Sequence, residues 1–122
     1  MADIRKERCE LIAESLAAIR EYMKTIHSAD DFVQSTEGQL RLDAVALRLQ
    51  VIGENVKQLK SRYPDFFEQD LPYNADLIVR FRDFISHHYE KLDHQIIYET
   101  CVNHLPSFSK AVDDYLRSAP AA

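Results

Sequence analysis

The chain has 122 residues and a formal net charge of −5, enough for one domain with a single core. Its composition, 46% hydrophobic and 29% charged, is that of a globular protein and excludes a disordered chain. The acidic balance also argues against binding nucleic acid over the whole surface, so any RNA contact must use a local basic patch.

Two glycines and four prolines are too few for the tight turns of an all-β fold. Met1 to Lys6 leads into a charged amphipathic stretch rather than the apolar region of a signal peptide, and no apolar run approaches a membrane span. These features predict a cytoplasmic protein without membrane contact. Cys9 and Cys101 sit beside apolar residues in helical patterns and read as buried, reduced thiols.

In chain order, a helix is expected from about Asp3 to Ile26. Cys9, Ile12, Leu16, Ile19, Met23 and Ile26 recur at spacings of three and four, which places them on one stripe. Ser28, Asp30 and Asp31 supply turn and capping chemistry, followed by a short helical turn with Phe32 and Val33. A second long helix is expected from Thr36 or Glu37 to Arg62. Leu42, Val45, Leu49, Ile52, Val56 and Leu59 form one apolar stripe; Leu40, Ala44, Leu47 and Val51 form another, rotated from the first. A helix apolar on two sides is either central in its domain or shared with a partner. Arg41, Arg48 and Asn55 recur between the stripes. Gly53 weakens the helix, which suggests close approach of another backbone. Pro64 ends the helix, because the residue before a proline is pushed out of helical geometry.

Residues 65 to 74 form a connector with one short turn, Asp65 to Glu68, and Pro72. A third helix is expected from Asn74 to His88 or Tyr89, with Leu77, Ile78, Phe81, Phe84 and Ile85 on its apolar face. A fourth is expected from Asp93 to Leu116, with Ile97, Cys101, Leu105, Phe108 and Val112 inward and a kink or split at Pro106. The expected architecture is an all-α, up-and-down bundle of four long helices. It forms one domain over residues 1–117, with a flexible tail at 118–122.

The segment Arg82-Asp83-Phe84-Ile85-Ser86-His87-His88-Tyr89 gathers unlike polar groups at the end of an apolar helix. Arg82, Ser86 and Tyr89 fall on one helical face, and Asp83 and His87 lie one turn apart on the next. Asp83 is placed to accept a hydrogen bond from His87 and to favour its protonated form. Arg82 would offer a guanidinium fork to a phosphate. Such a set suits RNA cleavage by internal transesterification. That reaction needs a base for the 2′-hydroxyl, an acid for the leaving 5′-oxygen and positive charge on the phosphorane. Arg82 and His87 point about 140° apart on an ideal helix, so a site assembled across a dimer is expected, with the second stripe of the Glu37–Arg62 helix as the contact. By spacing alone, a surface arginine and a helix-terminal histidine without chemistry is the better explanation of the pattern.

The same residues resemble a known family. The order Arg, polar residue, three residues, His, any residue, Tyr is similar to the signature of HepT-type toxins of the HEPN superfamily. Asp43-Ala44-Val45, with Arg48-Leu49 and Val51-Ile52-Gly53-Glu54, resembles that family's central helix. Leu71-Pro72-Tyr73 resembles its entry to the motif helix, and Asp93 with Leu105-Pro106 its closing helix. The resemblance implies the toxin of a toxin–antitoxin pair, a metal-independent endoribonuclease that works as a homodimer on RNA without a cofactor. Arg82 and His87 match the proposed catalytic pair, and Asp83 the polar position after the arginine. Tyr89 matches a tyrosine that, in some systems, a partner nucleotidyltransferase antitoxin modifies with AMP. Many members have Asn in place of Asp83 and Gly in place of His88. Asp83 therefore adds negative charge where a phosphate should bind, and His88 is either a second acid or a packing residue.

Four further groups carry alternatives. Arg48, with Arg41, either holds RNA phosphate or pairs with acidic groups in the bundle or dimer. Glu54 either supports the site or is solvated surface. Ser86 is a possible support residue. A metal site at His87, His88, Asp93 and His94 is disfavoured, because adjacent histidines on a helix diverge by about 100°. The competing function is a catalytically inactive helical module that binds a nucleotidyltransferase partner or a nucleotide.

Overall fold

The computed structural model describes residues 2–87 and 91–119. Among these residues all regular structure is helical. Five α-helices are arranged as an up-and-down bundle: α1 (Arg5–Tyr22), α2 (Thr36–Arg62), α3 (Asp76–His87), α4 (His94–Glu99) and α5 (Leu105–Ser118).

Helix α1 stops at Tyr22, one turn short of the expected end. Its open C-terminal carbonyl is met from outside: Arg41 Nη1 on α2 donates to Tyr22 O at 3.0 Å. A guanidinium at a helix C-terminus satisfies an orphan acceptor and opposes the helix dipole. This gives Arg41 a structural role, reinforced by its ion pair with Glu37 at 3.0 Å. The chain then turns through a 3-10 segment, Ala29–Phe32, opened by reciprocal Ser28 and Asp31 capping bonds. Phe32 is buried, whereas Val33 stays in solvent.

Helix α2 matches its expected span. The Ser35 hydroxyl accepts from Gly38 N at 2.9 Å and caps its start. Gly38 lets the chain at Asp31 and Phe32 lie against the helix, since a Cβ there would overlap the Asp31 carbonyl. The stripe Leu42, Val45, Leu49, Ile52, Val56 and Leu59 is wholly buried. It packs against Cys9, Ile12, Leu16 and Ile19 of α1. Helices α1 and α2 run antiparallel, because Arg8 bonds Asn55 near one end while Tyr22 meets Arg41 near the other. Asn55, buried, is held by Arg8 Nη1 at 3.0 Å and returns its own amide to Val51 O at 2.9 Å. The second stripe of α2 is open: Leu40 and Leu47 are 64% and 61% exposed.

After Tyr63, whose backbone leaves helical geometry as expected before a proline, the connector forms a π-helical turn, Phe66–Asp70. It buries Phe66 and Phe67 edge to face, their ring centroids 5.0 Å apart. Helix α3 buries Ile78 and Ile85 and half-buries Phe81 and Phe84, but Leu77 is exposed, contrary to the expected face.

The fourth expected helix is interrupted just before Pro106 rather than at it. Between α4 and α5 lies a π-helical turn, Thr100–His104. Two local features widen the coil. The Thr100 hydroxyl donates to Ile96 O at 2.8 Å, a back-bond that bends helices. Pro106 has no N–H and sits in the first turn of α5, where none is needed. Asp93 caps α4, its carboxylate accepting from Gln95 N and Ile96 N at 3.0 and 3.2 Å. Ile97, Leu105, Phe108 and Val112 complete the core. The predicted tail falls largely on residues outside those described; α5 itself runs to Ser118.

Candidate active site

The site is built where α3 crosses α2. Gly53 provides the contact: a methyl group at this position would overlap Cβ and Cγ of Arg82 and lie 3.5 Å from its Cα. The close approach expected at Gly53 is therefore made by an arginine stem, not by bare backbone. With its stem seated on α2, Arg82 has little freedom before the guanidinium. Its Nη2 donates to Glu54 Oε2 at 2.7 Å, and its Nη1 to Asp83 Oδ1 at 3.0 Å.

Glu54 is thus a direct partner of Arg82 rather than solvated surface. The pair is half-exposed, so it fixes direction more than it stabilises the fold; such pairs contribute about 0.2–1 kcal/mol. Nη1 and Nη2 each donate to a carboxylate, so one cation faces two anions. Arg48 is half-buried. It lies six residues before Glu54, about 120° round the helix, and is not part of the Arg82 contact. Helix α3 extends to His87 and places that residue five positions after Arg82.

The side chains of Ser86 and His87, residues His88 and Tyr89, and the expected Asp83–His87 hydrogen bond lie outside the described residues. The carboxylate of Asp83 accepts from Arg82. Among the described residues, no three His, Cys, Asp or Glu side chains cluster to hold a metal ion, and no helix is long and apolar enough to cross a membrane.

Two other features stand apart from this crossing. An apolar groove of about 570 Å³ lies between α1 and the α4–α5 arm, lined by Leu16, Ile19, Met23, Cys101 and Leu105 with Arg20 at its rim. Both thiols are free; Cys9 is buried as expected, whereas Cys101 is only half-buried, and desolvation pushes the pKa of each up to about 12. They are neutral and unreactive at ordinary pH, since thiolate is the nucleophilic form.

An all-helical bundle whose motif helix carries an arginine five positions before a histidine, the arginine paired with the central helix, is consistent with the HEPN class that the sequence resembles. Residues 12–114 match the family described as Ribonuclease HepT-like, and the chain belongs to that family. A curated relative, "Putative RNase MJ0127" of Methanocaldococcus jannaschii, is 30% identical over 88 residues, covering 72% of this chain and 68% of the relative. No solved structure gives a significant match.

Proposed function

We propose that this protein is the toxin of a toxin–antitoxin pair, a metal-independent endoribonuclease that cuts RNA in the cytoplasm by 2′-hydroxyl attack. The observation that carries this reading is Arg82, seated on Gly53 and aimed by Glu54 on the motif helix of a HepT-like ribonuclease. In the proposed reaction the 2′-oxygen forms a bond to phosphorus and the bond to the 5′-oxygen breaks. The products are a 2′,3′-cyclic phosphate and a 5′-hydroxyl. His87 takes the 2′-proton or gives one to the leaving oxygen, and Arg82 stabilises the charge on the phosphorane. One imidazole cannot do both at once, so the working unit is a homodimer in which each copy supplies a histidine. The exposed Leu40 and Leu47 stripe is the proposed contact, because monomers rarely leave large aliphatic residues aligned on one helix face.

Control falls to a nucleotidyltransferase antitoxin that transfers AMP to Tyr89. A bulky anion two residues from His87 would exclude RNA by size and charge. The purified dimer, freed of antitoxin, is expected to cut RNA in the presence of a chelator and to leave cyclic phosphate ends. Arg82→Ala or His87→Ala should lower the rate by about 10²–10⁴-fold. Cleavage that persists unchanged in both variants refutes the mechanism. Intact mass after co-expression with the partner should show AMP on Tyr89.

One observation favours a second reading, an inactive interaction module: Arg82 is already held by two carboxylates, Glu54 and Asp83. That reading predicts partner binding without growth arrest on expression of the toxin alone. Arrest abolished by His87→Ala would exclude it.

A further inference from the structure

The two carboxylates on Arg82 are not equivalent. Glu54 reaches the guanidinium from a different helix, 28 positions earlier, at a crossing fixed by the Gly53 contact. Asp83 is the next residue on the same helix. Neighbouring helical residues diverge by about 100°, so this contact requires the guanidinium to turn back along its own helix. The Asp83 side chain is half-exposed and can rotate away into water. A phosphodiester approaching Nη1 from solvent competes with the Asp83 carboxylate for it.

We infer that Asp83 occupies the phosphate-binding edge of Arg82 in the resting chain and sets how tightly the site takes a phosphodiester, while Glu54 is a positioning residue. The inference rests on the nuclease reading only for the identity of the ligand, the backbone of a nucleic-acid strand. With Asp83 in place, the phosphate meets a guanidinium whose charge is offset twice. Removing the Asp83 charge without changing its shape frees one fork for a bidentate contact. Glu54 then acts in the opposite sense: without it the guanidinium loses its aim, and the strand gains nothing.

The test uses the full chain and a fluorescein-labelled RNA strand with every 2′-hydroxyl methylated, which binds but cannot be cut. Affinity is read by fluorescence anisotropy at fixed salt. Asp83→Asn should tighten binding about five-fold, the scale of one exposed ion pair. Glu54→Gln should not tighten it. In an Arg82→Ala background Asp83→Asn should give no gain, which separates competition for Arg82 from a general loss of surface charge. The inference is overturned by unchanged or weaker binding in Asp83→Asn, by the same gain without Arg82, by equal tightening in Glu54→Gln, or by no binding in any form. Thermal unfolding of each variant shows that it is folded. Failure of every variant to cut ordinary RNA would remove the nuclease reading, and the anisotropy result would still decide the competition.

Discussion

Replacing Gly53 by alanine sets two known effects against each other. In an exposed helix interior, glycine to alanine stabilises by about 1 kcal/mol through backbone entropy. Here the added methyl would overlap Cβ and Cγ of Arg82, atoms at the root of the side chain that cannot swing aside. Helix α3 must move away from α2, because no rotamer of Arg82 displaces its Cβ. Overpacking of this kind costs about 1–3 kcal/mol, so the net effect runs from neutral to about 2 kcal/mol destabilising. For a chain of this size each kcal/mol shifts Tm by about 3–6 °C. Function should suffer more than stability. A displacement of about 1 Å at a catalytic group can cost about 10²-fold in rate, and the Glu54 contact would be lost with it. Circular dichroism melts and cleavage of a labelled RNA give both values on one sample. A Gly53→Ala protein that is more stable by the full helix-propensity gain and cuts at the wild-type rate would refute the claim that this glycine seats the arginine.

Two further outcomes are expected. On the proposed dimer, Leu40→Glu with Leu47→Glu should leave α2 helical but give a monomer by sedimentation, with loss of the proposed cleavage; a dimer that survives both changes places the interface elsewhere. For the thiols, folding raises Cys9 and Cys101 from 9.0 to about 12, so their contribution is full below pH 9 and is lost as pH climbs from 9 towards 12. The unfolding free energy from denaturant titrations should fall over that window, by at most about 1.4 kcal/mol per pH unit for each thiol. The fall should be shallower in Cys9→Ala with Cys101→Ala, and an unchanged slope would show that the thiols are not buried.

The bundle was legible because long helices repeat their pattern many times. Six apolar residues from Leu42 to Leu59 recur at spacings of three and four, and each is buried. Ends and interruptions were less legible, because they depend on single distant partners. Nothing local at Tyr22 foretells that Arg41 would accept its role at the end of α1. Pro106 announced an interruption in the last helix, but the widened turn lies before it, where the Thr100 hydroxyl bonds back to Ile96 O. At the site, Arg82 and His87 were visible as a spacing, and Gly53 as a helix-weakening residue that needed a reason. That the reason for Gly53 is Arg82 could not be read, because helical periodicity says which face is buried and not which side chain on another helix meets it. The Glu54–Arg82 ion pair belongs to the same crossing, which the sequence leaves unspecified.

Helix α2 runs unbroken through 27 residues, a rod of about 40 Å. Leu47, on its open side, and Glu54, which aims Arg82, are separated by two turns, about 10 Å along the axis. A rod this stiff transmits torsion. If docking of a second subunit turned α2 by 10° about its axis, the Glu54 carboxylate, riding about 5–6 Å from that axis, would sweep about 1 Å. The guanidinium is tied to that carboxylate and would follow. Subunit assembly and the pose of the arginine would then be two ends of one lever, with the core stripe as its bearing.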